Sequence, residues 1–146
     1  MTRSRLAALV GAGLCLIGCQ ERAFPIAKAR ACKRLVVLDG TTSPARILRD
    51  VNDDATLDAV IQVIKQYDDW PVARPTLRQC RTLLVEWMPD ASTPLGQAEV
   101  GLGVCDIGIG HYPLNGPLSP GRVLSTEART GLLHALGVSW PEGKRQ

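Results

Sequence analysis

Hydrophobic positions along the chain form three patterns: one unbroken run, several short bursts, and two stretches with helical spacing. The unbroken run is Leu6 to Gly18, 13 residues without a charge. The bursts are Leu35-Val36-Val37-Leu38, closed by the turn pair Asp39-Gly40, and Thr82 to Trp87, closed by Pro89-Asp90. Short apolar runs between turn signals predict buried strands. Helical spacing appears first at Leu57, Val60, Ile61, Ile64 and Tyr67, at i, i+3, i+4, i+7 and i+10. Asn52-Asp53-Asp54 offers its N-cap and first-turn acids, and it stops before Trp70-Pro71. The second helix starts at a Ser125 or Thr126 cap, carries Glu127 in its first turn and Leu132, Leu133 and Leu136 along one face, and ends at Gly137. Weaker signals predict an edge strand over Arg74 to Gln79, a glycine-rich irregular edge strand over Ala98 to Val104, and a short strand over Asp106 to Ile109. Pro94 to Gln97 and His111 to Arg122 are predicted loops, the latter with Pro113, Pro117 and Pro120.

Strands alternating with helices predict an α/β domain: a small, twisted, mostly parallel sheet of about 4–5 strands with two main helices. The domain spans residues 32–146. Cys32-Lys33-Arg34-Leu35 and Cys80-Arg81-Thr82-Leu83 share a pattern, so parallel neighbouring strands would bring the two cysteines to one end of the sheet. Gln20 to Ala31 has no clear period, and residues 19–31 are expected to form a tether. From Arg22 to Arg34 there are five basic residues and no acid. That stretch suits either an anionic bilayer surface or an ordinary solvated linker.

At 146 residues and 15.7 kDa the chain is one domain. Its net charge of +3 is too small to predict nucleic-acid binding, and six aromatic residues are too few for a base-stacking platform. Two histidines, His111 and His134, exclude any three-histidine site.

The apolar run carries more information. It is shorter than the roughly 20 residues needed to span a bilayer, and Arg3 and Arg5 precede it. That is the layout of a signal peptide. Leu16-Ile17-Gly18-Cys19 closes it and resembles the lipobox of bacterial lipoprotein signal peptides. The resemblance implies cleavage between Gly18 and Cys19, a diacylglyceryl group on the Cys19 thiol, and acylation of its new amine, with palmitate as a typical chain. A buried N-terminal helix that happens to contain Cys19 is the competing reading. With Gln20 after the cysteine, the sorting tendency of such lipoproteins favours the outer membrane in a cell with two membranes. Loss of residues 1–18 removes Cys15 and leaves 15 basic against 14 acidic residues, net +1.

Outside the cytoplasm thiols oxidise. With Cys19 lipidated, Cys32, Cys80 and Cys105 remain: at most one disulfide and one free thiol. The expected bond joins Cys80 to Cys32 or Cys105, with Cys32 slightly preferred for the matched strand starts. A three-thiolate zinc site is the rival, without a C-x-x-C spacing to support it.

Thr130 to Trp140, T-G-L-L-H-A-L-G-V-S-W, resembles a degenerate form of the zinc motif of matrixin-like metzincin metallopeptidases, H-E-x-x-H-x-x-G-x-x-H. His134 falls on the second histidine and Gly137 on the glycine. Leu84 to Trp87 and Cys105 to Ile109 look like the strands that precede that helix. The departures decide the chemistry: Thr130 replaces the first ligand, Gly131 the catalytic glutamate, and Trp140 the third ligand. Catalytic zinc takes three protein ligands, a water and a nearby base. The frame therefore implies no metal, no cofactor and no catalytic residue. His134 then reads as an ordinary residue near a helix C-terminus. Neither a phosphate-binding glycine loop nor a dinucleotide fingerprint is present.

The expected function is that of a lipid-anchored envelope lipoprotein with a non-catalytic binding domain. Its expected partners are the membrane, through Cys19, and an extended peptide or envelope protein added along Ala98 to Gly103 as an edge strand. The alternatives are a purely structural lipoprotein and a metallohydrolase with an atypical site built from His111 and His134.

Overall fold

The computed structural model describes residues 24–72, 82–106, 108–112 and 121–141. The elements are α1 (Ile26–Ala31), β1 (Arg34–Asp39), β2 (Arg46–Val51), α2 (Asp54–Ile64), a 3-10 turn (Tyr67–Asp69), β3 (Leu83–Met88), β4 (Val100–Cys105), β5 (Gly108–Tyr112), β6 (Arg122–Val123) and α3 (Thr126–Leu136). The six strands form one sheet in the order β2-β1-β3-β4-β5-β6, and every neighbouring pair is antiparallel. No helix among the described residues is long and apolar enough to cross a membrane.

This corrects the expected mostly parallel sheet of 4–5 strands with two helices. The strand–helix–strand signal around α2 is present, but it joins β2 to β3. Those two strands run parallel to each other with β1 between them, antiparallel to both. The missing piece was β2, whose RILRDV sequence is largely exposed and lacks a clean apolar alternation. β3 to β6 then follow as antiparallel neighbours.

Strand alternation divides the core. Leu35 and Val37 of β1, Leu83, Val85 and Trp87 of β3, and Val100, Leu102 and Val104 of β4 share one face with Ile109 of β5. Against them pack Leu57, Val60, Ile61 and Ile64 of α2 and Leu132 and Leu136 of α3. The opposite face holds a smaller cluster: Val36, Leu38, Met88 and Ala98, with Ala45 and Leu84 beside them. Burying a large aliphatic side chain stabilises by about 1.5–3 kcal/mol, so the helix-covered face dominates the folding energy.

Caps follow the sequence signals. Asp53 accepts from the Thr56 backbone N–H and Ser125 from that of Ala128, each satisfying a first-turn donor. Gly137 closes α3 at φ +65°, in the left-handed region.

Residues 24–31 are not a tether. Phe24 is buried between Tyr67 and Trp87, with ring centroids 5.4 and 5.8 Å away. Ala29 and Cys32 join the same core from α1. The apolar positions Phe24, Ala29 and Cys32 show no recognisable period because the helix is only six residues long.

Candidate functional site

β2 forms one edge of the sheet, and no strand among the described residues pairs with its outer side. Arg34 on β1 holds β2 from below with a two-pronged pair to Asp50, Nε to Oδ1 at 2.8 Å and Nη2 to Oδ2 at 2.6 Å. Its Nη1 donates to the carbonyl of Thr93. That fork raises the Arg34 pKa and holds the Asp50 carboxyl below the usual carboxylate range, in both cases chiefly through the side-chain hydrogen bond.

Arg49 reaches from β2 to α3 and donates Nη1 to the carbonyl of Leu136 at 2.7 Å. The contact joins the edge strand to the end of the last helix. The chain leaving α3 runs past β2, and the two enclose an open groove of about 300 Å³. β2 contributes Arg46 and Leu48; Gly137, Val138, Ser139, Trp140 and Pro141 form the rest. Arg46 projects over it with its side chain 68% exposed, while its Nη2 lies 3.4 Å from Asp39 Oδ2. Asp39 is buried, and its carboxyl is held low first by the Thr41 hydroxyl and further by the Thr41 N–H and Arg46. Ile47, next to Arg46, is 46% exposed. The groove therefore combines a strand edge unpaired among the described residues, a wall of mixed polar and apolar residues and one projecting cation.

The zinc-motif positions fall on α3 and on this groove. Thr130 is exposed, and its hydroxyl donates to the Thr126 carbonyl one turn back. Gly131 is a helix residue with open space where a side chain would project. His134 is exposed in the last turn. Trp140 lies under the Arg129 guanidinium, 5.2 Å from the ring centroid, and Arg129 also donates to the Asp106 carbonyl. Thr130, Gly137 and Trp140 thus hold local structural contacts. His111 pairs with Leu102 in the β4–β5 ladder, away from its predicted loop. Among the described residues, no group of three or more His, Cys, Asp or Glu is placed to hold a metal.

Two site expectations are corrected. Ala98 to Gly103 is not an edge. Val100–Cys105 is an interior strand with β3 on one side and β5 on the other, so its backbone groups are already paired. Glycine-rich composition suggested an edge, but these glycines lie in the middle of the sheet. The preferred Cys32–Cys80 pairing also fails, because Cys32 is a free, buried thiol. β1 and β3 are neighbours but antiparallel, with Arg34 opposite Met88 and Asp39 opposite Leu83. Their starts therefore lie at opposite ends of the sheet, about 17 Å apart at strand rise. Cys32 Sγ lies 3.3 Å from the Lys28 carbonyl, and burial, with Glu99 adding, pushes the thiol up to about 11. Cys105 is disulfide-bonded, and Cys80 lies outside the described residues, as do Cys19, Gly18 and the predicted strand Arg74 to Gln79.

Glu86 was not singled out by the sequence. It is 7% exposed in the middle of β3, opposite Gly101, and its Oε2 has no hydrogen-bond partner. The available signal was a single charge inside the apolar run LLVEWM. Comparison with protein-family models, with curated proteins and with solved structures finds no match to this chain.

Proposed function

We propose that this chain is a lipid-anchored protein of the bacterial cell envelope whose domain binds a partner and catalyses nothing. In a cell with two membranes it would sit on the outer one. The anchor rests on the Leu16-Ile17-Gly18-Cys19 motif at the end of a charge-free run of signal-peptide length. A non-catalytic domain is supported by Thr130, Gly131 and Trp140, which stand where the metzincin-like frame would need a ligand, a base and a ligand.

The binding role is carried by one observation: among the described residues, the outer edge of β2 is unpaired beside a groove of mixed polar and apolar lining. An extended peptide adding to that edge would gain backbone hydrogen bonds, and alternate side chains would enter the groove. Arg46 selects the partner chemistry. A carboxylate on the incoming strand would meet its exposed guanidinium, so the partner is an extended segment alternating apolar and acidic residues.

A synthetic Val-Glu repeat peptide, followed by fluorescence anisotropy, tests this reading. It should bind clearly more tightly than a Val-Lys repeat, and Arg46→Gln, which removes the charge without setting a second carboxylate against Asp39, should abolish the preference. Leu48→Ala, which trims the side chain lining the groove, should weaken binding. Equal affinity for the two peptides, unchanged in both variants, would refute it.

A further inference from the structure

Among the described residues, the unpaired cations lie close in sequence to the proposed lipid anchor. Arg34, Arg46, Arg122 and Arg129 each pair with a carboxylate, and Arg49 and Lys65 donate hydrogen bonds. Lys28, Arg30 and Lys33 are exposed, and among the described residues they alone of the Lys and Arg side chains make neither kind of contact. All three lie in or just after α1. The buried side of α1 is Ala29, continued by Cys32. Its outward side presents Ala27 and Ala31, with Lys28 and Arg30 on the two flanks at 100° per residue. This face carries small side chains between two cations.

Its position along the chain fixes how far it can be from a membrane. Phe24 is locked in the core, and only four residues separate it from Cys19. Even fully extended, that connection spans no more than about 18 Å. Among the described acids, Glu99 acts on Cys32, while Asp68 accepts from the Phe24 N–H and lies 3.9 Å from Arg122.

We propose that the outward face of α1, flanked by Lys28 and Arg30 and followed in the chain by the exposed Lys33, docks on the anionic phospholipid headgroups of the membrane that holds the Cys19 lipid. The inference rests on the anchoring reading above. A short connection holds the domain against the surface, and the three cations select which side turns toward it. Each free cation near an anionic surface favours that orientation by about fivefold at low salt, and the preference weakens as salt screens it. β2 is then presented to its partner by a domain of defined orientation.

The test uses the full chain purified from membranes. Mass spectrometry first establishes whether Cys19 carries acyl groups. The protein is then reconstituted in phosphatidylcholine vesicles with or without phosphatidylglycerol, and Lys28 and Lys33 are labelled with an amine reagent, Lys65 serving as internal reference. Anionic vesicles should protect Lys28 and Lys33 severalfold relative to Lys65. High salt should remove the protection, and so should Arg30→Glu as judged on the two lysines. An unacylated Cys19 overturns the anchor and the docking face together. An acylated protein whose Lys28 and Lys33 react equally in neutral and anionic vesicles overturns the docking face alone.

Discussion

Gly137 shows how much one residue can decide. Its φ of +65° lies where a side chain meets the following carbonyl, and a methyl group there would overlap the Arg49 guanidinium. Gly137→Ala should therefore cost about 1–2 kcal/mol for the left-handed backbone, and more if Arg49 loses the Leu136 carbonyl. Gly131→Ala is the matched control. It sits in the helix with nothing within 4 Å of the added carbon, and should stabilise by about 0.5–1 kcal/mol. Urea unfolding of both variants checks the pair; equal effects would contradict the backbone argument. Cys32 gives a second residue-scale prediction. A buried thiol pushed up to about 11 is almost entirely protonated at neutral pH. It should resist thiol reagents in the native protein and react on unfolding. Rapid native labelling would show that α1 does not cover it.

The two long helices were legible in sequence because their apolar spacing and caps agree: Asp53 and Ser125 both cap as expected, and Gly137 ends α3 as expected. β1 and β3 were legible as apolar runs, within a residue at each end. β2 and α1 were not. β2 is an edge strand whose arginines and aspartate stay at least partly exposed, so it carries no period-2 core signal. α1 is too short for helical spacing to repeat. Missing β2 reversed the direction assigned to β3 and with it the cysteine pairing. In the antiparallel register Leu83 lies opposite Val104, which places the start of β3 beside Cys105. With Cys32 free and Cys105 bonded, the proposed removal of Cys15 and acylation of Cys19 would leave one disulfide, Cys80 to Cys105. Closing that loop contributes about 3.5 kcal/mol in the chain-entropy model. Peptide mapping under non-reducing conditions checks it, and a Cys32-containing disulfide would contradict the register argument.

Over the whole molecule, hydrogen-bonded carboxylates set the response to acid. Asp39, Asp50, Asp53 and Asp90 are all held below the ordinary aspartate value: by the Thr41 hydroxyl, the Arg34 side chain, the Thr56 N–H and the Ser92 hydroxyl respectively. A folded pKa below the unfolded one contributes stability above the unfolded value, about pH 4, that is lost as pH falls toward the folded value. The thermal midpoint should stay level from neutral pH to about 5 and fall below about 4. Asp39→Asn should lower the neutral-pH midpoint and flatten the acid limb; an unchanged limb would exclude Asp39 as a contributor. Of the candidate site, the sequence exposed the anchor motif, Gly137 and Trp140. The groove between β2 and the end of α3 depends on strand order, which no local pattern encodes.

The anchor is the claim on which localisation, docking face and partner access all depend. Metabolic fatty-acid labelling, combined with N-terminal mass analysis, tests it most directly in cells expressing the chain or Cys19→Ala. The chain should take up label and begin at Cys19, whereas Cys19→Ala should remain unlabelled and keep residues 1–18. Label that persists in Cys19→Ala, or a chain that takes up none, would contradict it.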